Sequence, residues 1–347
     1  MPSRNPLAAA RTGYRAWADR QRHLGIAASA PTGPSASPAG DDISHPKPSL
    51  LSRLPFDRLL GYALMLILTA VMIVPLYWMV SGAFKEYAEI RAIPPVWIPQ
   101  AWQNPFGPDA LGFGNFVEAW NAAPFGRFYI NTIIITLAGT SGELINGCLC
   151  AYAFAFLRFP FKTVIFVIIL MALMIPGEVT TLPNYISIGS TLRSITSNLL
   201  GVEVSGINTY WGIFLPAVST AYGTFLIRQA FLGLPREVLE AARLEGAGHL
   251  RLLWDMVIPM ARPVLITYAL ISAVAHWNAY LWPLVVTRTQ EMRPLTVGIS
   301  YLFDTEGNTN YGVVMAATCF VVLPLILVFI WAQKFIIDGI ASGATKG

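Results

Sequence analysis

Six long apolar runs constrain this chain more than any other feature. They cover residues 59–81, 128–156, 163–186, 210–231, 264–286 and 312–335. A run of about 20 apolar residues is what a helix needs to cross a hydrocarbon layer of about 30 Å. Composition supports this reading. Hydrophobic residues make up 55% of the chain and charged residues 12%, and mean hydropathy is +0.55. Soluble domains carry roughly twice that charge fraction. The expected fold class is all-α, a polytopic membrane protein. The net charge of +4 is modest. Its arginines lie at the ends of the runs and not in one basic patch interleaved with aromatics, which argues against nucleic acid as a partner. Cys148, Cys150 and Cys319 all fall inside apolar runs. Cys148 and Cys150 would point about 200° apart on a helix, so they read as small buried hydrophobes and no metal site is expected.

The chain divides into four stretches. Residues 1–57 are rich in Pro, Ala, Ser and Gly and read as a disordered cytoplasmic tail. Within it, residues 6–25 offer Tyr14, Trp17, Arg15, Arg20 and Arg22 for a weak basic helix on a membrane surface. No apolar region follows directly, so this is not expected to be a secretory signal. Residues 58–126 hold the first span and a polar external segment. Residues 127–337 hold five more helices, with Pro176-Gly177-Glu178 interrupting the third span and a polar linker expected at 187–209. Residues 338–347 are small and Gly-rich, and are expected to be too flexible for a helix.

Orientation follows from charge. Six spans put both termini on one side, together with Arg53, Arg58, Arg158, Lys162, Arg228, Arg236, Arg243, Arg251, Arg262, Lys334 and Lys346. The other side holds Lys85, Arg91, Arg127, Arg193, Arg288 and Arg293 over longer segments. The positive-inside rule makes the first side cytoplasmic.

The polar interruption at 234–263 lies on that side. Pro235 suits a first helical turn, and residues 236–245 are good helix formers. Arg236 and Glu240 stand four apart, and Glu240 and Arg243 three apart, so both pairs are expected to meet. Gly246-Ala247-Gly248 breaks the helix, with Gly246 available for positive φ. A second short helix over 249–257 runs up to Pro259. Ala241 and Ala242 are small enough to let another surface approach.

The spacing Glu240-Ala241-Ala242, three residues, Gly246, nine residues, then Met256-Val257-Ile258-Pro259 resembles the EAA signature of ABC importer permeases. Met256 and Ile258 depart from the usual Ile and Leu but stay apolar. Other stretches agree: Phe125-Gly126-Arg127-Phe128-Tyr129-Ile130-Asn131-Thr132, Ala151-Tyr152-Ala153-Phe154-Ala155-Phe156, Trp277-Asn278-Ala279-Tyr280-Leu281-Trp282-Pro283, and the Gly-rich end. From about residue 59 onward the chain is similar to carbohydrate-uptake permeases, in particular the shorter six-span subunit of maltose-type importers. The tail before it and the 187–209 linker depart from that pattern.

The resemblance implies a six-helix type I importer transmembrane domain in the inner membrane that catalyses no chemistry itself. It implies a second, homologous permease subunit, two ATPase subunits, an extracytoplasmic solute-binding protein, a sugar substrate and surrounding membrane lipid. Residues 234–263 would then form the coupling helix, with Glu240, Ala241, Ala242, Arg243, Gly246, Ala247 and Pro259 engaging the ATPase. Ser342, Gly343, Lys346 and Gly347 would reach the ATPase interface. The chain has no GxxxxGK[ST] phosphate loop. No cofactor is therefore expected in it, and ATP and Mg would be bound by the ATPase partner.

Polar side chains at membrane depth are candidates for function. His276, Trp277, Asn278, Tyr280 and Trp282 sit in the fifth run and are the candidate substrate path, because sugars are held by hydrogen bonds and aromatic faces and transporter sites lie near the midplane. On one continuous helix they would not all face one pore. Glu143, Asn146 and Glu178 read as structural polar groups. A rival from another class is a rhomboid-like intramembrane protease, with Ser141 of Gly139-Thr140-Ser141-Gly142 activated by His276. A passive channel is another. Neither accounts for the EAA-like loop.

Overall fold

The computed structural model describes residues 56–103, 112–303 and 309–344. Among these residues every regular element is helical. The proposed tail, apart from the residues that open the first helix, lies outside them. The chain divides into two compact units, residues 1–64 and 65–347. Of the first, only the opening turns of helix α1 are described.

Helix α1 (Phe56–Ala83) is 28 residues long. Leu66, Ile67, Val71 and Met72 on it are largely exposed, as a lipid-facing surface requires. After Lys85 and several short turns comes α2 (Gly114–Ala122). Then α3 (Phe125–Phe156), 32 residues long, forms the centre of the fold. It packs against α8 (Ala221–Leu232) and α11 (Arg262–Trp277). Phe128, Ile135 and Tyr152 mark its buried stripe.

Three further pairs of helices are bent. Helix α4 (Lys162–Met171) ends near Ile175, which is extended before Pro176, as a residue preceding proline prefers. Helix α5 (Gly177–Ile186) then turns away, with an angle of 105° between the two arms. The fourth run bends by 51° between its first part, which includes α7 (Tyr210–Phe214), and α8. Helices α9 (Arg236–Leu244) and α10 (His249–Leu252) form the loop, and an 83° bend separates α10 and its continuation from α11. Helix α12 (Leu281–Val286) follows, and α13 (Tyr311–Ala344) closes the chain. Among the described residues three helices are long and apolar enough to cross a membrane alone, and the count is up to six if each bent pair is one span.

Three expectations need correction. The 187–209 linker is largely helical, as a π turn (Ser187–Thr191) and then α6 (Leu192–Leu200), ending at Gly201 with φ of +68°. Its hydroxyls are satisfied within the helix itself. Ser187 donates to the Pro183 carbonyl at 2.8 Å and Ser190 to that of Ile186 at 3.2 Å, so the side chains bond back along the helix. The fifth run is broken at residues 278–280. Pro283 has no N–H for the Ala279 carbonyl four residues back. Thr296 Oγ1 donates to that carbonyl instead, at 2.6 Å. Finally, α13 continues through Gly339 and Gly343 to Ala344, so the C-terminal stretch is helical as far as it is described. Each glycine costs about 1 kcal/mol in a helix, but extending an existing helix avoids the nucleation penalty. Lys346 and Gly347 lie outside the described residues.

One apolar core joins the spans to the loop. Tyr152 of α3, Ile227 and Phe231 of α8, Leu239 and Ala242 of α9, Leu252, Leu253 and Val257, and Tyr268 of α11 are all buried together. A second core gathers Phe125, Phe128, Trp277, Leu295 and Val321.

Candidate functional site

The loop's geometry follows from its glycine. Gly246 has φ of +86°, a conformation that side chains with a Cβ rarely adopt. Its N–H donates to the Arg243 carbonyl at 3.0 Å, and the Ala247 N–H to that of Ala242, also at 3.0 Å. This is the paired hydrogen-bond pattern of a Schellman stop, in which an apolar contact accompanies the turn. Ala242 is buried and Ala247 packs against the same core. The four-residue spacing from Ala242 to Gly246 is therefore the spacing that this helix stop needs.

The second arm is held equally firmly. Tyr152 Oη and His249 Nδ1 lie 3.0 Å apart. Leu252, Leu253 and Val257 are buried. The stretch Leu253–Val257 widens into a π turn just before Pro259, relieving the clash that proline makes with the carbonyl four residues earlier. The outer face differs. Leu244 is 91% exposed, and Val238, Leu250 and Trp254 are also exposed. Glu240, Ala241 and Arg243 share that exposure. The expected Arg236–Glu240 and Glu240–Arg243 ion pairs are not formed among the described residues, because solvated charges gain little from pairing. The loop is thus fixed on its inner side and bare on its outer side, with apolar groups that no other described part of the chain covers.

A second feature lies within the spans. A cavity of about 350 Å³ is lined by Glu143 of α3, by Thr180, Thr181 and Asn184 of α5, and by His276 and Trp282 beside the break between α11 and α12. His276 Nε2 stands 3.2 Å from Glu143 Oε1. Tyr268 Oη donates to Glu143 Oε2 at 2.8 Å. The imidazole packs onto Gly139, where a Cβ would come within 2.5 Å of the ring. Trp282 donates its indole N–H to the Ile213 carbonyl at 2.9 Å, which fixes the ring on the cavity wall. The Asn184 amide makes no hydrogen bond with any described residue. Lys and Arg are absent from the lining residues.

Of the proposed path residues, the structure brings His276 and Trp282 together and leaves three aside. Trp277 is buried in the second core and donates to the Val321 carbonyl at 3.0 Å. Asn278 Nδ2 caps the end of α11 by donating to the Val274 carbonyl at 2.8 Å, and Tyr280 is exposed in the break. Asn146 donates to the Val218 carbonyl at 3.1 Å, an interhelical contact. Glu178 is exposed in the first turn of α5, where the helix dipole favours an acid. Ser141 is exposed on α3, and His276 faces Glu143 and not Ser141, so the protease pairing is absent. Sequence reasoning missed Thr180, Thr181 and Asn184. Their signal was a polar stripe at helical spacing directly after Pro176-Gly177.

The comparisons with known proteins agree with this geometry. A family model described as "Binding-protein-dependent transport system inner membrane component" matches residues 143–341. The sn-glycerol-3-phosphate transport system permease protein UgpE of Yersinia pestis is 34% identical over 284 residues, covering 80% of this chain and 94% of that protein. The arabinooligosaccharides transport system permease protein AraQ of Bacillus subtilis is 27% identical over 283 residues, covering 81% and 93%. A crystal structure of a bacterial ABC transporter that imports the acidic polysaccharide alginate matches with a TM-score of 0.62 at 24% identity, covering 81% of this chain and 97% of that one.

Proposed function

The chain belongs to the family of binding-protein-dependent transport system inner membrane components, and from that premise we propose how it works as a permease subunit of an ATP-binding-cassette importer. It forms half of a translocation path and hydrolyses nothing itself. A second permease subunit supplies the other half, two ATPase subunits dock on residues 234–263 and bind ATP and Mg, and an extracytoplasmic binding protein delivers the solute. Both termini face the cytoplasm, a reading supported by the arginine distribution.

The observation that carries the coupling role is the loop welded to the spans through one apolar core, with Leu244, Leu250 and Trp254 left bare on its outer face. A load applied to that face reaches α3, α8 and α11 without passing through a soft joint. The cavity beside the α11–α12 break is the part of the path that meets the solute. It offers hydroxyls, an amide, a carboxylate–imidazole pair and one aromatic wall. A carboxylate in a lining without Lys or Arg disfavours an anion and suits a neutral polyhydroxylated solute, a sugar or polyol. The relatives' names span a phosphate ester and oligosaccharides, and the lining favours the second kind.

The test is a thermal-shift screen of the cognate binding protein against neutral sugars and glycerol phosphate, followed by uptake of the hit into vesicles holding the whole complex. Asn184→Ala and His276→Ala should each lower uptake about ten-fold, the worth of one or two hydrogen bonds, with ATPase subunits still bound. Normal uptake by both variants would move the solute contacts onto the partner permease.

A further inference from the structure

Apart from the membrane cavity, the α3–α4 connection and the start of α9 enclose a cavity of about 290 Å³, which shares Glu240 and Arg243 with the loop's outer face. Four cations line it, Arg158, Lys162, Arg236 and Arg243, against one acid, Glu240. Among the described residues no ion pair neutralises any of them. Lys162 is positioned by donating to the Leu157 carbonyl at 2.9 Å and the Ala155 carbonyl at 3.4 Å. Arg228 nearby is engaged elsewhere, donating to the Phe154 carbonyl at 3.0 Å with its guanidinium over the Phe166 ring. The rest of the wall is apolar, with Phe156, Phe231 and Leu234. Lys162 is also the first residue of α4, which buries none of its residues; Val164, Ile165, Ile168 and Met171 are exposed along it.

A concave cluster of uncompensated cations beside a bare apolar helix matches one kind of ligand, an anion joined to long hydrocarbon chains. We propose that this cavity binds the headgroup of an anionic phospholipid from the cytoplasmic leaflet, with its phosphate against Arg158, Lys162 and Arg236 and its acyl chains along α4. Basic pockets at the cytoplasmic ends of membrane helices suit such headgroups. The assignment to that leaflet rests on the orientation proposed above. Because Arg236 opens α9, the bound lipid touches the coupling element directly, and the charge of the membrane would bear on coupling.

Native mass spectrometry of the purified full chain tests this, in micelles holding equal amounts of phosphatidylglycerol and phosphatidylcholine. One phosphatidylglycerol should be retained per chain, in preference to phosphatidylcholine. Arg158→Gln and Lys162→Gln should each weaken retention about five-fold, the usual worth of one basic residue near an anionic surface. Arg158→Lys should hold it, which separates loss of charge from misfolding. Arg262→Gln, an exposed cation outside the cavity, should leave it unchanged. Equal retention of both lipids, no loss in the Gln variants, or an equal loss with Arg262→Gln would overturn the proposal. Displacement of the lipid by millimolar inorganic phosphate would assign the cavity to a soluble anion. Absence of the lipid once ATPase subunits are bound would assign it to an acidic side chain of the ATPase. None of these readings requires transport, so they stand apart from the solute assignment. Orientation is checked separately, by labelling Gly248→Cys and Gly107→Cys chains from outside intact cells; only the second should react.

Discussion

Gly139 and Gly246 do different work, and each makes a prediction. Gly139 lets the His276 ring lie directly on α3. Gly139→Val should push the imidazole away from Glu143 and into the cavity. Uptake should then fall while the ATPase subunits still co-purify; unchanged uptake would mean that the Glu143–His276 pair does not border the path. Lys85 gives a prediction in pH. It is 1% exposed and its ammonium lies 3.9 Å from the centre of the Trp78 ring, with no hydrogen bond to any described residue. Burial pushes its pKa below the ordinary 10.5, opposed in part by Glu89. The folded chain therefore releases this proton before the unfolded chain does. Between the lowered value and 10.5 the unfolded state binds more protons, so stability from this group rises with pH across that window. Thermal unfolding in detergent from neutral to alkaline pH should show Lys85→Met losing that alkaline gain relative to the parent. Parallel curves would contradict it. Sequence could place Gly246 at a helix stop, because Ala242 and Gly246 carry the spacing. It gave no sign that Lys85 is buried, since burial there depends on Trp78, seven residues earlier in the chain, and on Asn115, which caps the Ala83 and Lys85 carbonyls.

At the level of elements, the apolar runs were legible and their breaks less so. Pro176-Gly177 announced the bend between α4 and α5. The break at 278–280 was hidden, because Asn278 and Pro283 read as ordinary members of an apolar run until their backbone partners are known. That break decided the site: a continuous helix would have split His276 from Trp282, whereas the real one lets both line a single cavity. The helicity of 187–200 was missed for a related reason, since hydroxyls that bond back to their own helix look like linker residues in sequence. The C-terminal end was misread in the same direction, and α13 runs to Ala344. A helix fixes the direction in which this end leaves the spans, which a coil does not. Deleting residues 342–347 should therefore cut transport-coupled ATP hydrolysis without changing membrane insertion. Wild-type hydrolysis by the truncated complex would show that the end is inert.

For the molecule as a whole, six spans and the loop's place between the fourth and fifth of them follow from hydrophobic runs and arginine positions alone. What sequence could not show is that one apolar core unites the loop with α3, α8 and α11, because those contacts join residues far apart in the chain. The proposed lever action of the loop rests on that core. Its shape depends on Gly246, where no atom crowds a Cβ but φ is +86°. An alanine there costs about 1 kcal/mol and a β-branched residue more. Since no side chain must be displaced, Gly246→Val should leave the spans and their packing in place and change only the direction in which α10 leaves α9. The decisive measurement is substrate-stimulated ATP hydrolysis by the whole complex in vesicles carrying Gly246→Val, with co-purification of the ATPase subunits recorded alongside. Normal insertion, weakened retention of the ATPase and no stimulation by substrate are the expected result. Normal co-purification with full stimulation would contradict it, because the loop would then not be the element that couples the two reactions.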